Sequence, residues 1–176
     1  LNVQEPAPLT ADLSQEKACP DQSDGGLRVE VLGGTAPYTF IWEQEPETFS
    51  DFFEGISQGS YDLQIIDAAG CSIQLSGEVT NRRPLVKLPN VFTPNDDGIN
   101  DTFGPVFNCP VTFEMFVYNS WGEMLFHTED INEGWNAYFK GEKVQQGNYL
   151  YQARYEANFN GIKLKEQLSG KVRVLY

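Results

Sequence analysis

The sequence predicts an all-β fold built as two antiparallel β-sandwich domains in tandem. Three observations carry that prediction: a period-two alternation of apolar and polar residues, turn-forming punctuation at short intervals, and a break in charge near residue 84. Strands that bury one face alternate in this way, because successive side chains point to opposite sides of a sheet. Helical periodicity is nearly absent.

In chain order, the first alternating runs are Leu27, Val29 and Val31, then Tyr38, Phe40 and Trp42, then Leu63 and Ile65. The second half continues with Phe113, Met115 and Val117, then Tyr149, Tyr151 and Ala153, and finally Val172, Val174 and Tyr176. Between them lie Gly33-Gly34, Ala69-Gly70, Asn95 to Gly98, Asn119 to Gly122 and Asn160-Gly161, which read as turns. Many short strands with regular turns indicate a sandwich or barrel and argue against βαβ units. A short echo supports two such units: Gln58-Gly59-Ser60-Tyr61 and Gln146-Gly147-Asn148-Tyr149 share one form, and each leads into an alternating strand. A Gly-x-Tyr entering a late strand is the pattern of a tyrosine corner, which makes both sandwiches Ig-like.

Length and composition agree. The 176 residues are 40% hydrophobic and 13% aromatic, enough for two packed cores rich in large rings. Residues 1–84 hold 4 basic and 14 acidic residues, and residues 85–176 hold 8 and 11, so the net charge of −13 is concentrated in the first half. The boundary is placed at Asn81 to Pro84, giving domains at 9–84 and 85–176, with 1–8 as the tail of a preceding repeat. An acidic first half disfavours nucleic-acid backbones and anionic membrane surfaces. No run of 18 apolar residues exists, so a membrane-spanning helix is excluded and no direct membrane insertion is expected. Leu1 to Thr10 lacks the basic and then apolar pattern of a signal peptide.

Three cysteines allow one disulfide and one odd thiol in an oxidising compartment. Cys19 and Cys71 share the acidic half and are the disulfide candidates, with Cys109 read as a small core residue. No C-x-x-C pair announces a structural zinc site. The stretch Thr93 to Asp101 invites a calcium reading, because Asn95, Asp97 and Asp101 flank Gly98 at the spacing of a short oxygen-donor loop. The competing reading is an Asn/Asp-rich turn that caps its own backbone. Catalysis is not expected. His127 is the sole histidine and lies inside the predicted strand Glu123 to Thr128, where no nucleophile elbow or phosphate-binding loop accompanies it.

Several blocks are familiar. Gly33 to Trp42, Gly59-Ser60-Tyr61 and Asp67-Ala68-Ala69-Gly70-Cys71 resemble, in order, the tandem repeat of SprB-type gliding-motility adhesins. The second half resembles the gliding-motility-associated C-terminal domain, type B, of the type IX secretion system of Bacteroidetes. The match runs through Leu88-Pro89-Asn90-Val91-Phe92-Thr93-Pro94-Asn95-Asp96-Asp97-Gly98-Ile99-Asn100-Asp101-Thr102-Phe103, then Asn119-Ser120-Trp121-Gly122-Glu123, Gly134-Trp135-Asn136-Ala137, Gly147 to Tyr151 and Gly170 to Leu175. Ser120 stands where the family has Arg, and Asn136-Ala137 where it has Asp-Gly.

The resemblance implies export across the outer membrane, with outer-membrane components of the secretion machinery as partners and a secreted or cell-surface destination. Since no leader opens the chain, that destination makes it part of a longer protein; as a fragment it is expected to be monomeric. Leu88, Pro89, Asn90, Phe92, Pro94, Trp121, Gly122, Lys171 and Arg173 are the candidate recognition residues, with edge pairing of the final strand as one route. The alternative function is an extracellular adhesin module that binds glycan or protein through the repeat.

Overall fold

In the computed structural model, which describes residues 7–43 and 50–176, the alternating runs become fifteen strands and no helix among the described residues. The contacts divide into two units, Leu1–Arg82 and Arg83–Tyr176. Of the expected tail at 1–8, residues 1–6 lie outside the described residues.

The first unit contains β1 (Thr10–Glu16), β2 (Gly25–Leu32), β3 (Thr39–Trp42), β4 (Phe52–Ile56), β5 (Gly59–Ile66) and β6 (Ser72–Val79). They form two three-stranded antiparallel sheets, ordered β1-β2-β4 and β3-β5-β6. Inward positions come from the predicted parity: Leu27 and Val29 from β2, Phe40 and Trp42 from β3, Leu63 and Ile65 from β5. Trp42 stacks on Phe53 at 5.0 Å, and Phe53 meets Tyr61 edge-on at 5.7 Å, a geometry that adds to the area the rings bury.

Asp67, only 6% exposed, ties the two turn motifs of this unit together. Its Oδ1 accepts from the amides of Ala69 and Cys71, and its Oδ2 from that of Thr35. Gly34 must be glycine there: its φ is +69°, and a Cβ would stand 3.1 Å from Asp67 Oδ2 and 2.8 Å from the Leu9 side chain.

The second unit adds β7 (Val86–Lys87), β8 (Val91–Phe92), β9 (Val106–Phe107), β10 (Thr112–Tyr118), β11 (Met124–Thr128), β12 (Tyr138–Phe139), β13 (Glu142–Lys143), β14 (Gly147–Phe159) and β15 (Ile162–Val174). One five-stranded sheet, β11-β10-β14-β15-β8, dominates it. The β14–β15 hairpin pairs thirteen residues on each side without a register shift, around the predicted Asn160-Gly161 turn, where both residues have positive φ. The opposing layer is not a second full sheet. It consists of the two-residue pairs β7–β9 and β12–β13 and the bridge between Phe103 and Trp135. Large rings fill what strands do not: Phe92, Phe103 and Trp135 are almost fully buried, with centroids 5.6 to 6.0 Å from Phe92.

The Gly-x-Tyr echo produces the same bond twice. Tyr61 donates its hydroxyl to the carbonyl of Ser57 at 2.9 Å, and Tyr149 to that of Gln145 at 2.7 Å, each four residues upstream. Burial raises the Tyr149 phenol above its usual range.

The cysteine expectation needs correction. Cys19 is disulfide-bonded, but Cys71 is a free, exposed thiol in the tight β5–β6 turn, so the two do not pair. Cys109 is buried, as a core residue would be, yet it too is disulfide-bonded and not a free thiol.

Candidate recognition site

Two parts of the second unit gather the predicted residues, and they differ in character. In the first, the opening block clamps the last strand. β8 runs parallel to β15, pairing Val91 with Arg173 and Phe92 with Val174. Arg173 donates its amide to the carbonyl of Asn90, and Leu175 to that of Phe92. Phe92 and Pro94 are buried, and Leu88 packs against the core. Phe92 and Pro94 offer no surface to a partner, while Pro89 is half-buried and Asn90 exposed. The edge of β15 is therefore occupied at Arg173 and Val174, which removes the edge-pairing route at that point. What the final strand shows to solvent is the side chains of Lys171 and Arg173, alternating with fully buried Val172 and Val174.

The loop after β8 is self-capped. Asp101 Oδ1 accepts from the amides of Asn95 and Asp96, and Oδ2 from that of Gly98. Asn95 Nδ2 donates to Asp97, whose other oxygen takes the Ile99 amide. Desolvation pushes the Asp101 carboxyl up, but the backbone donors outweigh it and hold it below its usual value. The oxygens of Asn95, Asp97 and Asp101 thus meet donors of the loop itself, the arrangement that the Asn/Asp-rich turn reading describes.

The second part is the β10–β11 hairpin. Asn119 builds it: Oδ1 accepts from the amides of Trp121 and Glu123, and Nδ2 donates to the Glu123 carboxylate. Gly122 sits at φ +84°, a conformation that excludes side chains. Asn119, Gly122 and Glu123 are accounted for by the turn. Trp121 is not: it is 92% exposed. Its counterpart Trp135 has the opposite fate, fully buried with Nε1 donating to the carbonyl of Tyr138. Two residues on, Ala137 has φ +63°, a left-handed conformation that favours glycine.

Beside the hairpin, cross-strand pairing lines up Tyr118, Leu150 and Lys171 across β10, β14 and β15. With Gly122, Gln152 and Ser169 they border a shallow groove of about 570 Å³. So the structure places Gly122 and Lys171 on one surface with Trp121 next to it, whereas Phe92 and Pro94 are buried. Sequence reasoning missed Tyr118, Leu150 and the half-exposed Met124. The available signal was a run of consecutive apolar residues, Tyr149-Leu150-Tyr151, which puts one of them on the solvent side.

Further along the same face, Glu114 receives His127 Nε2 at 3.1 Å on one oxygen and Arg154 on the other. Desolvation raises the Glu114 carboxyl, and these two partners more than reverse it, so it lies below its usual value.

Residues 86–169, just under half of the chain, match the family model of the CHU_C type IX secretion signal domain. No curated protein matches. Among solved structures, dimeric latent PorU from Porphyromonas gingivalis is similar at 14% identity and a TM-score of 0.29, over 96% of this chain and 20% of that one. The BSP domain of a biofilm-associated protein is similar at 13% identity and a TM-score of 0.28, over 92% of this chain and 29% of that one. The chain thus spans about a fifth of the PorU chain and under a third of the other.

Proposed function

From the match of residues 86–169 to the type IX secretion signal domain, we propose that the second unit is read by the outer-membrane secretion machinery through the face that carries Trp121. The chain holds the C-terminal sorting signal of an exported protein. The observation that carries the finer reading is the hairpin: its motif residues are used by the turn, and the one large side chain left over is displayed to solvent. Trp is among the residue types most enriched in binding hot spots. Tyr118, Leu150 and Lys171 extend that surface across three strands. Recognition is by shape and contact, with no chemistry performed by the domain.

The first unit is then a passenger, an SprB-like repeat on a protein destined for the cell surface or the medium. A second reading has it bind glycan or protein itself, favoured by a groove of about 450 Å³ on its β3-β5-β6 sheet, lined by Glu43, Asp62, Gln64, Gln74 and Ser76. Glycan-array binding by the chain, lost on replacing Gln64 and Gln74 by alanine, supports that reading, and a blank array opposes it.

The test of the main reading is export of a reporter bearing a signal peptide and fused to this chain. Trp121→Ala together with Lys171→Glu should leave the reporter folded in the periplasm, whereas undiminished export refutes the assignment of this face.

A further inference from the structure

At the far end of the outward sheet face, three metal-ligating side chains converge. Strand parity turns Glu114 and Phe116 of β10 outward, register sets Phe116 opposite His127 of β11, and Glu129 follows directly after β11. A ring nitrogen of His127 and one carboxylate oxygen each from Glu114 and Glu129 all lie within 4.8 Å of one another. Ligands held tetrahedrally about 2.1 Å from a common ion stand about 3.4 Å apart, so the widest gap closes by at most about 1.4 Å, within reach of an exposed glutamate side chain.

Two of the three ligands are oriented by groups outside the cluster. The His127 ring stacks on Phe116, with centroids 4.5 Å apart and planes within 20°, which fixes the direction of its nitrogens. Arg154 occupies one oxygen of Glu114 and leaves the other, the one His127 faces. Glu129 is exposed and free to swing in. One imidazole nitrogen with two carboxylate oxygens is a borderline donor set, suited to zinc and its neighbours and poorly suited to calcium or magnesium, which take oxygen alone.

We propose that Glu114, His127 and Glu129 form a surface site for one zinc-class divalent ion. Two anionic ligands complement the ion's charge, and the Arg154 guanidinium offsets part of that gain, which makes the site a moderate and reversible one. The ion bridges β10 to the segment after β11, the outer strand of the sheet. It replaces the hydrogen bond between His127 and Glu114 with two bonds to a common centre.

The test titrates zinc chloride into the full chain by calorimetry. It uses a Cys71→Ser background, because the free exposed thiol is a competing soft ligand. The expected result is one ion per chain, with His127→Gln weakening binding by about tenfold or more and Glu129→Gln weakening it measurably. A second readout needs no variant: zinc, and not magnesium, should shift the His127 ring resonances of the otherwise unchanged chain. Unmoved ring resonances at saturating zinc, or a His127→Gln variant that binds as tightly, would overturn the proposal.

Discussion

Two tryptophans in one small domain have opposite assignments, and replacing each by alanine separates them. Trp135 has no exposed surface and packs against Phe92 and Tyr149, 5.6 and 5.1 Å between centroids. Burying a side chain of roughly 250 Å² at about 25 cal/mol per Å² sets an upper bound near 6 kcal/mol. Measured aromatic-to-alanine changes in cores cost about 3–5 kcal/mol, and the Tyr138 carbonyl also loses its donor. Trp135→Ala is therefore expected to cost about 4 kcal/mol, a large share of the ~5–15 kcal/mol typical of a domain. Trp121, by contrast, is 92% exposed, and Trp121→Ala should change stability by no more than about 0.5 kcal/mol. The assay is urea denaturation of the full chain, with amide exchange in β10 and β14 reporting the second unit. A Trp135→Ala loss below about 1 kcal/mol, or a Trp121→Ala loss above about 2 kcal/mol, would refute the burial argument.

Tyr149→Phe removes one hydroxyl bond to the Gln145 carbonyl and should cost about 1 kcal/mol in the same denaturation, with the fold retained; no change would deny the bond its role. Glu156 is held at a pKa of about 2 by hydrogen bonds from Lys163 and Lys165, against an ordinary 4.5. Because the folded value is depressed, its contribution is complete above about pH 4.5 and fades as pH falls toward 2. A carboxyl NMR titration should show that midpoint low, rising in Lys163→Gln/Lys165→Gln and in high salt, since the groups are exposed and screened. Thiol titration of the unreduced, denatured chain should find one reactive thiol, and Cys71→Ser should abolish it; a reactive thiol that survives in Cys71→Ser would contradict the cysteine assignment.

Residues whose local pattern determines their place were legible in advance. Leu63 and Ile65, or Met115 and Val117, point inward because period-two alternation in a half-buried strand permits nothing else. The paired tyrosine bonds were legible from two short echoes for the same reason, since each closes over four residues. Interactions between distant parts of the chain were not. The pairing of β8 with β15 joins segments some eighty residues apart through only two residues of each strand, and β8 itself is too short for any periodicity to mark. Cys19 could not be given its partner from composition, since spacing says nothing of which thiols meet in space. The Asn95–Asp101 loop has the residue types of a cation site and of a self-capped turn alike, and the letters alone do not show that Asp101 accepts from the Gly98, Asp96 and Asn95 amides. In the same way, nothing in the letters distinguishes Trp121 from Trp135.

If the second unit carries the export signal, it should direct export without the first. Fusing residues 83–176 to a periplasmic reporter with its own signal peptide, in a host with an intact type IX system, tests it most directly. Reporter is expected at the cell surface or in the medium, and held in the periplasm when Trp121→Ala and Lys171→Glu are introduced together. A folded fusion that stays in the periplasm with the native sequence would contradict it.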